Sequence, residues 1–146
     1  MIQSQFIKEF FIVSNIYRTM NNILKEKLSS NNIPINETQL ILLFLMNNSN
    51  DLTPDQMLKL GHFSTSNLLF NINTLVSNDF AQIKEEKNFT DQFDIPMNLS
   101  MDGKETLSNI HKLFKNVNTN SNENFLNVLM EYEKNIEFIG KSSSRK

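Results

Sequence analysis

The residue types that could carry covalent or metal chemistry are few here, and their spacing suits neither. The chain holds two histidines and no cysteine, which removes thiolate nucleophiles, thiolate metal sites and disulfides. His62 stands in a turn beside Gly61, and His111 has Asn109 and Lys112 for neighbours. Neither has a second histidine or a carboxylate at the spacing a helical metal site requires. The carboxylate pairs Glu85-Glu86 and Glu131/Glu133 read as solvated faces. Gly61 and Gly103 read as a helix end or a turn, not as a phosphate-cradling loop. No catalytic residue, metal ligand or cofactor is assigned, and an enzyme is not expected.

The chemistry that remains is recognition by amides, hydroxyls and one aromatic ring. Projected at about 100° per residue, the stretch from Ser64 to Asn78 has a core face of Leu68, Leu69, Ile72, Leu75 and Val76. Its opposite face holds Ser66, Asn67, Phe70, Thr74 and Ser77, flanked by Asn71 and Asn73. An asparagine amide can bond adenine twice in the major groove, and Phe or Thr can touch a thymine methyl. In its sharpest form, Asn67 and Asn71 read adenine. The chain also contains 23 asparagines, a bias that codon usage in an AT-rich genome explains, so the same residues also read as plain solvated surface.

The elements that must position this face follow from periodicity and caps. Over residues 6–28, Phe6, Phe10, Val13, Tyr17, Met20 and Leu24 recur at spacings of four and three, a helical stripe. Ile7, Phe11, Ile16 and Ile23 add a second stripe, so the helix needs two surfaces to pack on. Asn31-Asn32-Ile33-Pro34 breaks it. Asn36-Glu37-Thr38-Gln39 reads as a capping box opening a helix whose residues 40–46 are apolar all round and therefore central. Residues 47–51 read as a loop. Thr53-Pro54-Asp55-Gln56 starts a short helix, with Thr as cap and Pro at the first helical position. Met57, Leu58 and Leu60 lie on it and Gly61 ends it. With the helix that follows, this makes a helix-turn-helix.

The period then changes to two. Residues 80–84 read as one strand, and Phe93, Ile95, Met97 and Leu99 alternate in a second across a polar tip. Pro96 cannot donate to a ladder, so that second strand sits at an edge or has its open side there. Ser100 caps a helix expected to reach about Val117, residues 116–124 form a polar hinge, and a last helix carries Phe125, Leu129, Tyr132, Ile136 and Ile139. Residues 141–146 read as a frayed tail. The fold class is mainly α with a small two-stranded β-hairpin wing. The longest apolar run, seven residues, is far short of the roughly 20 needed to span a membrane. No signal peptide is visible, so a cytoplasmic location is expected.

This element order resembles the MarR family of bacterial transcription regulators. The most particular match is Asp91-Gln92-Phe93-Asp94-Ile95-Pro96-Met97-Asn98-Leu99-Ser100-Met101-Asp102-Gly103. The family reads Asp-Arg-Arg, three variable residues, an apolar residue, any residue, Leu-Thr, two residues and Gly. Asp91, Met97, Leu99, Ser100 (for Thr) and Gly103 fall in register, whereas Gln92 and Phe93 replace the wing arginines. Residues 75–81 resemble the family's Leu-x-x-x-Gly-Leu-Ile joint, with Asp79 at the glycine, a substitution tolerable because Asp accepts positive φ better than most residues.

The resemblance implies a winged helix-turn-helix over residues 36–103 and a helical dimerisation region formed by residues 1–35 and 104–146, within one structural domain. It implies a homodimer whose interface includes Phe6, Phe10, Val13, Tyr17, Met20, Phe125, Leu129, Tyr132, Ile136 and Ile139, the alternative being that both stripes close within one chain. It also implies double-stranded DNA as partner, with Ser66, Asn67, Phe70, Asn71, Asn73 and Thr74 in the major groove and Lys84 and Lys87 near phosphates. A small lipophilic effector, in a cleft to which Phe11 and Tyr17 could contribute, is implied on the same basis.

The charge distribution opposes the DNA reading. Residues 36–103 carry three lysines (Lys59, Lys84, Lys87) against nine carboxylates, net −6, and the rest of the chain is net +4. There is no Lys or Arg between Leu60 and Ile83. Because DNA affinity rests largely on neutralising phosphates, a second expectation stands beside the first. In it, a winged-helix dimer with little DNA binding acts through protein contacts, using exposed aromatics such as Phe70 and Phe89.

Overall fold

The structure, a computed structural model, describes residues 4–61, 63–84 and 91–144. His62, Lys87 and Phe89 lie outside the described residues. The chain divides into two compact units, Met1–Leu113 and Phe114–Lys146.

The first unit opens with α1 (Gln5–Ser30). It ends where Asn32 takes a left-handed conformation (φ 56°), with Asn32 N–H donating to Ser29 O and Ile33 N–H to Leu28 O. That pair of bonds satisfies carbonyls the helix would otherwise leave open. The central helix α2 (Glu37–Asn48) starts at the expected capping box: Asn36 Oδ1 accepts from Gln39 N–H at 2.8 Å, and Gln39 Oε1 accepts from Asn36 N–H at 3.2 Å. The short helix α3 (Pro54–Gly61) has the same device, Thr53 with Gln56. Next comes α4 (Thr65–Ser77), whose last turn closes through Asp79 N–H to Val76 O and Phe80 N–H to Leu75 O, with Asp79 at φ 61°. The expected positive φ at Asp79 is thus observed.

The wing strands are β1 (Ala81–Ile83) and β2 (Met97–Leu99), antiparallel, with Ala81 opposite Leu99 and Ile83 opposite Met97. They lead into α5 (Met101–Phe114). The fully buried side chains are Leu42 and Leu43 of α2, Met57 of α3, Leu68 and Leu75 of α4 and Met97 of β2. Leu107 and Ile110 of α5 are also buried. Each comes from an apolar position of the sequence pattern.

Several expectations need correction. The second strand is only three residues long. The Asp91 side chain accepts from Phe93 N–H at 3.0 Å and bends Gln92–Asp94 into a single 3-10 turn, a local bond that competes with a ladder. The sheet has two strands, so β2 lies at its edge as expected, and a single bridge joins its other side to Leu52, with Leu52 N–H to Met97 O at 3.2 Å and Met97 N–H to Leu52 O at 2.9 Å. Pro96, just before the strand, has only its carbonyl in the ladder, accepting from Lys84 N–H. The all-round apolar helix α2 buries Leu42, Leu43 and Met46, yet leaves Ile41 and Phe44 exposed. The helix expected to reach Val117 stops at Phe114, where a run of Asn, Thr and Ser with weak helix propensity begins.

The second unit contains α6 (Glu123–Ser144). It extends four residues into the expected tail, because nothing in residues 141–144 interrupts the backbone ladder. Phe125, Leu129 and Ile139 are exposed on it, and Tyr132 and Ile136 are half-buried.

Candidate nucleic-acid interface

Helix α4 is seated by Leu68, Ile72 and Leu75, which face α2, α3 and β1. Ser64 caps its start, accepting from Asn67 N–H at 3.3 Å. This leaves Ser66, Phe70 and Asn73 pointing away from the core, with Phe70 68% exposed in mid-helix. Thr74 is half-buried, and its hydroxyl donates to Phe70 O at 3.0 Å.

Asn71 is not on this face. It is 2% exposed, which corrects its expected place at the groove-facing surface. Its Oδ1 accepts from Asn36 Nδ2 and from Gln39 Nε2, both at 3.0 Å. Its Nδ2 donates to Asn67 O at 2.8 Å and Asn67 Oδ1 at 3.0 Å. All four hydrogen bonds available to an amide are therefore made inside the protein. Asn67 is exposed but also engaged, since its Nδ2 donates to Thr38 Oγ1 at 3.4 Å while its Oδ1 serves Asn71. The amides singled out as adenine readers thus form an internal network that ties α4 to the capping box of α2. Asn36, Thr38 and Gln39 belong to the site as its anchors. The sequence signal for them was the capping box, which marks a helix start without naming a tertiary partner.

The hairpin base is fixed on two sides. Asp51 N–H donates to Asn98 Oδ1 at 2.9 Å and Asn98 Nδ2 donates to Asp51 Oδ1 at 2.8 Å. Ser100 Oγ accepts from Gly103 N–H at 2.9 Å and donates to Asp79 O. Gly103 is buried in the first turn of α5, and a Cβ there would lie 2.0 Å from Phe80 O. Its role is close approach between α5 and the hairpin base, not a helix end or turn.

Charges around the site follow the sequence count. Lys59 pairs with Asp55 at 3.0 Å on α3, an exposed pair worth under about 1 kcal/mol. Lys84 is exposed just past β1. The Lys87 expectation falls outside the described residues.

On α1, Phe6, Phe10, Val13, Tyr17 and Met20 are 49–63% exposed, so the core of the first unit does not take up their stripe. Tyr17 also reaches α2, where its hydroxyl donates to Glu37 Oε1. That bond, with some desolvation and the carboxylate's charge, raises the Tyr17 pKa above its ordinary value.

A helix-turn-helix seated on a central helix and followed by a two-stranded antiparallel sheet defines a winged-helix fold. The particular version is the MarR-type fold, as solved structures show. The chain superposes on a point mutant of E. coli MarR complexed with operator DNA with a TM-score of 0.71 at 18% identity, covering 90% of this chain and 95% of that one. Against AbfR of Staphylococcus epidermidis the TM-score is 0.77 at 14% identity, covering 92% of each chain. Against Staphylococcus aureus MarR in complex with salicylate and kanamycin it is 0.70 at 17% identity, covering 94% of this chain and 95% of that one. No protein-family model and no curated protein matches the chain. At these identities the likeness establishes the fold.

Proposed function

We propose that the chain is a MarR-type regulator, a homodimer that binds double-stranded DNA through α4 and the wing. The observation that carries this reading is the seating of α4. Its apolar side is locked into the core and its amide side is tied to α2, so that Ser66, Phe70 and Asn73 are held outward on a rigid helix. Such a helix fits the major groove, and two of the similar structures are described as DNA complexes. The preferred sites are AT-rich. Lys84 and Lys87 supply phosphate contacts.

The uncovered apolar faces of α1 and α6 support a second copy as their partner, residues 1–35 and 104–146 forming the dimerisation region. A small lipophilic effector is proposed by likeness to the salicylate complex, with Phe11 and Tyr17 among its neighbours. A cytoplasmic location goes with this reading. Among the described residues no helix is long and apolar enough to cross a membrane, and no group of His, Cys, Asp and Glu could hold a metal ion.

The net charge of −6 over residues 36–103 favours a second reading, a winged-helix dimer that works through protein contacts. Retention on a generic DNA column at about 50 mM salt separates the two, because even non-specific phosphate binding is strong there. Elution in the flow-through rejects the DNA reading. Light scattering tests the dimer, which must have twice the 17.0 kDa mass of the chain; a monomer at micromolar concentration rejects it.

A further inference from the structure

We infer that Phe70 is the principal sequence-selecting residue of α4 and that it reads the 5-methyl groups of pyrimidines, thymine in ordinary DNA. The inference rests on the DNA-binding reading above and specifies what that surface recognises. It follows from elimination along the helix. Asn71 is buried with all four amide hydrogen bonds made. Asn67 donates to Thr38 and accepts from Asn71, so the orientation of its amide is set by protein partners and only one N–H and one lone pair are left for a base. Thr74 is half-buried and its hydroxyl serves Phe70 O. No Lys or Arg lies between Leu60 and Ile83 to bond guanine. Ser77 is exposed in the last turn, but its hydroxyl donates to Asn73 O at 2.8 Å. Beyond Thr65 at the first helical position, the outward side chains that remain are Ser66, Phe70 and Asn73.

Of these, Phe70 has by far the largest contact surface, and it has no role in the core. At 68% exposure, a phenylalanine in the middle of a helix gains little from folding. Its apolar surface is covered only when something is placed against α4. The major-groove group that offers apolar surface is the pyrimidine 5-methyl. Ser66, one turn earlier, and Asn73, one turn later, can bond neighbouring base edges without strong selectivity. Recognition of this kind also suits an acidic reading head, since it draws discrimination from desolvation of a methyl rather than from added positive charge.

The test starts from the intact protein and a random duplex pool, enriched by repeated binding at about 50 mM salt. Enriched duplexes are then resynthesised with deoxyuridine replacing thymidine one position at a time, which removes only the methyl. For the wild type, one or two positions in each half-site should weaken binding about fourfold for each methyl lost. At those positions 5-methylcytosine opposite guanine should bind better than cytosine opposite guanine. Phe70→Ala should lose both effects while keeping the wild-type melting temperature, and Phe70→Leu should retain part of them. Enriched duplexes indifferent to every methyl, or a methyl effect that survives in Phe70→Ala, overturn the inference and leave DNA binding standing. A pool from which nothing is enriched overturns the DNA-binding reading and this inference with it.

Discussion

Replacing Asn71 with alanine tests whether the amide network holds α4 in place. The substitution removes four hydrogen bonds, but their partners fare differently. Asn36 and Asn67 are exposed, so water can replace much of what they lose. Gln39 is 5% exposed, and its Nε2 would be left buried without an acceptor, at about 1–3 kcal/mol. The space vacated by the amide adds a smaller packing loss, giving about 2–4 kcal/mol in total. The assay is urea unfolding followed by circular dichroism at one fixed protein concentration, because any self-association makes apparent stability concentration-dependent. A double-mutant cycle with Gln39→Leu and Asn71→Leu sharpens it. Removing both partners should cost less than the sum of the single losses by at least about 1 kcal/mol. An Asn71→Ala protein within about 0.5 kcal/mol of the parent, or a strictly additive cycle, would refute the idea that Asn71 is an anchor.

Three further outcomes are expected. Gly103→Ala should destabilise by roughly 2 kcal/mol or more, read as a lowered melting temperature, because its Cβ would meet the Phe80 carbonyl oxygen at 2.0 Å and backbone must move. Asp79→Gly should stabilise by about 0.5–1 kcal/mol, since glycine adopts the observed φ of 61° without the Cβ penalty and the backbone bonds there are kept; unchanged or lowered stability would count against strain at this joint. The Tyr17 hydroxyl should titrate above 10.0, measured as the ultraviolet difference between the parent and Tyr17→Phe. Because this folded-state pKa is raised, the contribution of the bond to stability is fully present below pH 10 and is lost as pH climbs through the raised value. A Tyr17 midpoint at or below 10.0 would exclude the Glu37 bond.

Element order, both capping boxes and the joint at Asp79 were legible in the sequence because each rests on local rules: periodicity, a cap three residues from its partner, tolerance of positive φ. The strand expected to begin at Phe93 was misread because alternation continued through residues where the Asp91 side chain takes the Phe93 N–H and turns the chain. The position of Asn71 was misread for a different reason. It lies three residues after Leu68 and four before Leu75, so spacing alone assigns it to the seated side, but its polarity argued for the outside. Only the tertiary partners, Asn36 and Gln39, make an amide tolerable there, and no local pattern reveals them. The exposure of the α1 stripe was legible as an excess of apolar surface, since one small domain cannot bury both that stripe and its own core.

The amide network also divides α4 into positions that can change independently and positions that cannot. Ser66, Phe70 and Asn73 hang from the helix with no bond to α2, so substitutions there can alter what the surface prefers at little expense to folding. Asn67 is different, because a new side chain must also suit Thr38 and Asn71. Variation among descendants of this protein should therefore collect first at the three free positions, with changes at 38, 67 and 71 arriving together.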